Sequence, residues 1–158
     1  HLKKGDLPDI DEERALLVLL GDKNGKYRRS SFAKNAILCA SCAGMMGSGN
    51  NKEPGEIRYA DNVFTIGWIS GSRDTVDVEL TFGFNAQLKQ FVLVSDSMEK
   101  RDRLAGESRV TKRDFVAGTK TEDSKTSKIE KKVLPLEKLK FYNYLKYDFT
   151  QPPPDLQP

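Results

Sequence analysis

The chain carries one histidine, and it is residue 1. A Ser-His-Asp triad, a Cys-His dyad and a His-ligated zinc site each need an imidazole held in place by the fold. A terminal histidine can hold copper through its own amine, but such centres also use a second histidine, and this sequence has none. Cys39 and Cys42 are the only thiols, too few for a closed zinc site without other soft ligands. Their spacing is that of a redox pair. Such a pair opens its helix, however, whereas these two cysteines fall inside a stretch that reads as helix interior. Two small buried thiols are the plainer reading. No acidic run resembles a calcium loop. The stretch 47–55, rich in glycine, lacks the Lys-Ser or Lys-Thr that a phosphate-binding loop carries after its last glycine. The expectation is therefore no metal and no cofactor.

Carboxylates are what is left for acid-base work. Asp77 and Glu79 lie two apart in an alternating stretch and share one face, as a pair of proton-transfer groups would. A solvated sheet face has the same spacing. The residue inventory therefore favours a protein that is not an enzyme.

Binding chemistry is better represented. Residues 138–149 interleave Lys138, Lys140 and Lys146 with Tyr142 and Tyr144. Lysine can meet phosphate while tyrosine stacks on a base, which suits single-stranded nucleic acid. A second basic group comprises Lys100, Arg101, Arg103, Arg109, Lys112 and Arg113. On one face it would attract acidic lipid headgroups or phosphates, although acids are interspersed along it. The proline run 152–154 lacks the flanking residues of the familiar proline-motif ligands and reads as a tail.

Positioning these groups requires a core, and the chain can build one. It has 158 residues, of which 37% are hydrophobic and 31% charged. That is the balance of a single water-facing globular domain. The net charge is +3, and residues 95–146 hold 14 lysines and arginines against 9 acids. No apolar run is long enough for a membrane helix. No secretory leader is recognisable at the start, so the expected location is intracellular, in the cytoplasm.

The clearest element signal is the alternation at 76–84, with Val76, Val78, Leu80, Phe82 and Phe84 on one face. Shorter alternating runs at 64–68 and 91–94 flank it, separated by turn residues, which predicts an antiparallel meander. Residues 139–149 alternate again. The stretch 32–46 is apolar nearly all round and predicts a buried central helix capped at Ser30 or Ser31. Short helices are expected near 11–20 and 98–104, the former with a strand and an Asn24-Gly25 hairpin as its rival. Residues 119–132 read as a mobile loop.

These readings combine into an α+β fold, with an antiparallel sheet of four to six strands packed against one buried helix. Residues 1–10 would be a lead-in, 11–149 the domain and 150–158 a tail. The expected function is a non-enzymatic binding or assembly module of structural or matrix-like type. It would self-associate and contact an anionic partner, either single-stranded nucleic acid or a membrane surface. The alternative is a small-molecule-binding sheet or half-barrel, or a carboxylate-dependent enzyme, with its pocket near Trp68 and Phe82.

Overall fold

The computed structural model describes residues 15–34, 36–37, 56–71 and 73–139. These residues form ten β-strands and a short 3-10 turn, with no α-helix among them. The expected α+β architecture is thereby overturned: the described residues are antiparallel β throughout, and among them no buried helix packs on the sheet.

The apolar run near the start shows why. Residues 16–21 form β1 (Leu16–Gly21), paired antiparallel with β2 (Tyr27–Ala33). The rival signal wins here. Asp22 Oδ1 accepts hydrogen bonds from the amides of Asn24 and Lys26 at 2.8 and 2.9 Å, and Gly25 takes a positive φ of 75°. Only glycine takes such a φ without strain, so the turn closes a hairpin where a helix would have stopped. Leu16, Val18 and Leu20 pack against the core, while Leu17 and Leu19 are half exposed.

The expected helix over 32–46 fails at its start for a related reason. Ser31 does not cap a helix. It is a fully buried strand residue whose hydroxyl accepts from the Phe91 amide, and the next amide, of Phe32, donates to Glu137. Phe32 and Ala33 complete β2, and Ala36 and Ile37 are buried beyond it. Residues 38–46, with Cys39 and Cys42, lie outside the described residues, as do 1–14 and 140–158.

Seven further strands make a simple meander: β3 (Glu56–Ala60), β4 (Val63–Gly71), β5 (Asp74–Asn85), β6 (Gln90–Asp102), β7 (Glu107–Asp114), β8 (Thr119–Glu122) and β9 (Lys125–Lys128). Each pairs antiparallel with the next. β10 (Leu134–Pro135) pairs with β6 at Leu93 and Val92, where β7 has already ended. The 3-10 turn Leu136–Lys138 follows. The expected helix over 98–104 is instead the end of β6 and its turn, and the stretch read as a loop contains the β8–β9 hairpin.

One turn design occurs twice. Asp102 Oδ1 accepts from the amides of Leu104 and Ala105, and Asp114 Oδ1 accepts from those of Val116 and Ala117. Each turn closes on a glycine of positive φ, Gly106 or Gly118. The Asp side chain thus satisfies two turn amides that no strand partner reaches.

Alternation sorts the large sheet into two faces. Phe64, Ile66 and Trp68 of β4, Val78, Leu80 and Phe82 of β5, and Phe91, Leu93 and Met98 of β6 are buried on the inner face. The β1–β2 hairpin and Leu134, Leu136 and Leu139 join them in one cluster. Phe64 stacks on Phe82 with ring centroids 4.9 Å apart and meets Phe91 edge-on at the same distance. The register slips beside Phe82, which pairs with Leu93 while Thr81 pairs with Ser95. This β-bulge at Val94 moves the inward set of β6 from odd to even positions, so that Asp96 and Met98 point inward.

Candidate ligand-binding site

The inner-face aromatic ladder ends at the turns that join β3 to β4 and β5 to β6. There it opens into a cleft of about 540 Å³ lined by Leu20, Tyr59, Asp61, Asn62, Val63, Gly83, Phe84 and Phe91. Its position follows from the sequence. Ile57 and Tyr59 alternate onto the inner face of β3, where Tyr59 sits opposite Phe64. Phe84 ends the apolar face of β5 and meets Phe91 edge-on at 5.5 Å. Leu20 reaches the cleft from β1. Tyr59 is 67% exposed and Phe84 37%, so two aromatic rings face solvent beside a buried third.

The rim is polar. Asp61 and Asn62 both take positive φ, 52° and 62°, which gives the tight two-residue turn of a twisted hairpin. The Tyr59 hydroxyl donates to Asn62 Oδ1 at 3.2 Å and holds the ring against the turn. At Gly83 a Cβ would lie 3.0 Å from Val94 Cγ1, tight enough that the valine would have to give way. The cleft thus has apolar walls with a carboxylate and an amide at one side, a composition shared with small-molecule pockets in general. By contrast, Trp68 and Phe82, named as the lining of the expected pocket, are filled core at 6% and 0% exposure.

Asp77 and Glu79 lie on the outer face of β5. Asp77 is opposite Glu99, and Glu99 is gripped through both oxygens by Arg101 at 2.7 and 2.8 Å. Glu79 is paired with Arg58 of β3. Burial raises the Asp77 carboxyl above its usual value, against the pull of Arg101, and the nearby Glu99 and Glu79 add to the rise. The hydrogen bonds from Arg101 hold Glu99 below its usual value. Glu79 and Glu99 are thus engaged in ion pairs on the sheet surface, and no group of three metal-ligating side chains occurs among the described residues.

The basic set does not form one patch. Arg113 is a core residue, 8% exposed, in an ion pair with the fully buried side chain of Asp96. Arg101 is on the outer face with Glu99, Arg103 is in the β6–β7 turn, and Lys112 is on the outer face between Ser97 and Thr121. Lys100 and Arg109 are brought together, directly opposite each other across β6 and β7 on the inner side. Lys138 is exposed on the 3-10 turn, and Lys140, Tyr142, Tyr144 and Lys146 lie outside the described residues.

No protein-family model, curated protein or solved structure matches this chain. Among the described residues no helix is long and apolar enough to cross a membrane. Tyr59, Phe84 and Leu20 were not singled out by sequence reasoning. The available signal was the continuation of the inward alternation past the end of the buried core, where an aromatic residue must face water.

Proposed function

We propose that the protein is a non-enzymatic binding protein whose ligand is a small molecule with a flat apolar ring. The observation that carries this reading is the cleft walled by Tyr59, Phe84, Phe91 and Leu20. Its volume falls within the range of about 300–1,000 Å³ common to small-molecule pockets. An aromatic ring in the cleft stacks on Tyr59 and Phe84, and Asp61 accepts a hydrogen bond from a donor on the ligand.

Titration with indole and with adenine, followed by the amide resonances of Tyr59, Asn62 and Phe84, tests it. At least one probe saturates these shifts. Tyr59→Ala and Phe84→Ala each weaken binding by about tenfold, the order expected for one aromatic contact and its burial. Absence of saturable shifts with both probes, or unchanged affinity in both variants, rejects the reading.

A second reading, contact with an anionic partner, draws support from Lys100 and Arg109. Two cations directly opposite on one face can both reach a single phosphate group. Lys100→Glu with Arg109→Glu should abolish binding to anionic vesicles and to single-stranded RNA at low salt. Retained binding, or none by the parent chain, removes it. Self-association belongs to the same proposal and draws on Leu17 and Phe32, which pair across β1 and β2 with their side chains outward. Light scattering on Leu17→Asp reads it directly.

A further inference from the structure

The outer face of the large sheet carries a second hollow, of about 270 Å³, over the middle of β5 to β8. Two cross-strand rows build it. In one, Glu79, Ser97, Lys112 and Thr121 stand side by side. In the other the sequence is Thr81, Ser95, Asp114 and Thr119. Adjacent strands are about 4.8 Å apart, so each row spreads over about 14 Å and neighbouring polar groups stand about one sugar ring apart.

The grid is mixed in sign and has capacity to spare. Hydroxyls both donate and accept. Among the described residues, no hydrogen bond joins the hydroxyls of Thr81, Ser95, Ser97 and Thr119, and no ion pair joins the Lys112 ammonium. Of the three carboxylates in the lining, Asp96 is paired with Arg113, and the other two are each used at one oxygen. Glu79 meets Arg58 through Oε2, and Asp114 receives the turn amides on Oδ1. No aromatic side chain lines the hollow.

This lining discriminates between ligand classes. A phosphate or other oxyanion would lie beside Glu79 and Asp114 and be repelled. A cation would meet Lys112, while Arg113 beneath is already paired with Asp96. A flat apolar ring would find nothing to stack on. A neutral ligand with many hydroxyls satisfies the whole grid: its hydroxyls donate to the carboxylates and accept from Lys112, and the Ser and Thr side chains take either role.

We propose that this outer-face hollow binds a saccharide ring, as a free sugar or as one residue of a glycan. The assignment is independent of the aromatic cleft.

Isotope-labelled full-length chain is titrated with the methyl glycosides of glucose, galactose and mannose, with N-acetylglucosamine, with chitotriose and maltotriose, and with inorganic phosphate. At least one sugar produces saturable shifts at the amides of Ser95, Ser97, Lys112 and Thr121, and phosphate produces none. Shifts with monosaccharides mark a free-sugar site, and shifts confined to the trisaccharides mark a glycan site. Ser97→Ala and Lys112→Met each weaken binding by about tenfold, the loss expected for one hydrogen bond to a positioned ligand. Tyr59→Ala leaves it unchanged. Lack of a saturable shift with every sugar, saturation by phosphate, or dependence on Tyr59 overturns the proposal. Because Lys112 is exposed, its variant folds as the parent does, so an unaltered affinity in Lys112→Met counts against it as well.

Discussion

Removing one partner of the Asp96–Arg113 pair should cost far more stability than removing both. The Asp96 side chain has no solvent exposure, and Arg113 has 8%. Arg113 Nε donates to Asp96 Oδ1 at 2.9 Å, Nη2 donates to Oδ2, and the guanidinium lies 5.3 Å from the centre of the Phe115 ring. On β5, Asp96 faces Leu80, so one flank of the charge is apolar. Asp96→Ala takes the carboxylate away from a guanidinium that meets little water, and the expected loss is about 3–5 kcal/mol. For a chain of this length each kcal/mol moves the melting temperature by roughly 2–4 °C, so the drop is roughly 6–20 °C. Arg113→Met takes the guanidinium away from the buried carboxylate and costs a similar amount. In Asp96→Leu with Arg113→Met neither charge remains, and stability returns to within about 1 kcal/mol of the parent or exceeds it. Urea unfolding of the four chains, followed by circular dichroism, closes the cycle. Two results would refute this account. One is a single-variant loss under about 1 kcal/mol, which is the worth of an exposed pair. The other is a double-variant loss equal to the sum of the two single losses.

Asp77 gives a pH-dependent prediction. Its carboxyl is raised chiefly by burial, so the folded chain holds that proton more tightly than the unfolded one. Its contribution to stability therefore falls as pH rises from the ordinary carboxylate value through the raised one. Asp77→Asn should be more stable than the parent near about pH 7 and no more stable near about pH 3. A gain that persists in acid would contradict the cause assigned here. Ser124 has a φ of 72° and Asp123 one of 44° in the β8–β9 turn. Ser124→Gly should stabilise by about 0.5–1 kcal/mol, because glycine takes that conformation without a steric penalty. A lower melting temperature would show that the serine makes a contact worth more than the strain.

The inner strands were legible because hydropathy reports them directly. In β4 and β5, Phe64 to Trp68 and Val76 to Phe84 alternate without interruption, and the structure buries the odd-one-out face of neither. β6 was lost midway. Its inward positions are Phe91 and Leu93 before the bulge and Asp96 and Met98 after it, so a period-2 reading breaks at Val94. On β7 the inward residues are Arg109, Thr111 and Arg113, which look like surface until the carboxylate of Asp96, 17 positions away, is placed opposite. The Asp-x-x-Ala-Gly turns at 102–106 and 114–118 were a usable local signal, and the first was instead read as the end of a helix over 98–104. The cleft at Tyr59 and Phe84 depends on where β1 lies relative to β5, a long-range fact that no window of sequence contains. The outer hollow likewise needs the register of four strands before Ser97, Lys112 and Thr121 become neighbours.

The meander has a kinetic consequence. From β3 to β9 every strand pairs with the one that follows it in the chain, so each pairing closes only a short loop. Such contacts can form by successive zippering, and sheets dominated by them fold faster than sandwiches built from distant strands. The pairing of β10 with β6 and the docking of β2 against β6 and the 3-10 turn are different, since they join residues 40 to more than 100 positions apart, such as Phe32 with Glu137. Chain closure for these comes late. The order that follows is a preformed curved sheet, exposing its aromatic face, onto which the Leu16–Ala33 hairpin and the Leu134–Leu139 segment then settle. In that order the ligand cleft is among the last parts of the molecule to exist, and a ligand held there would slow unfolding more than it speeds folding.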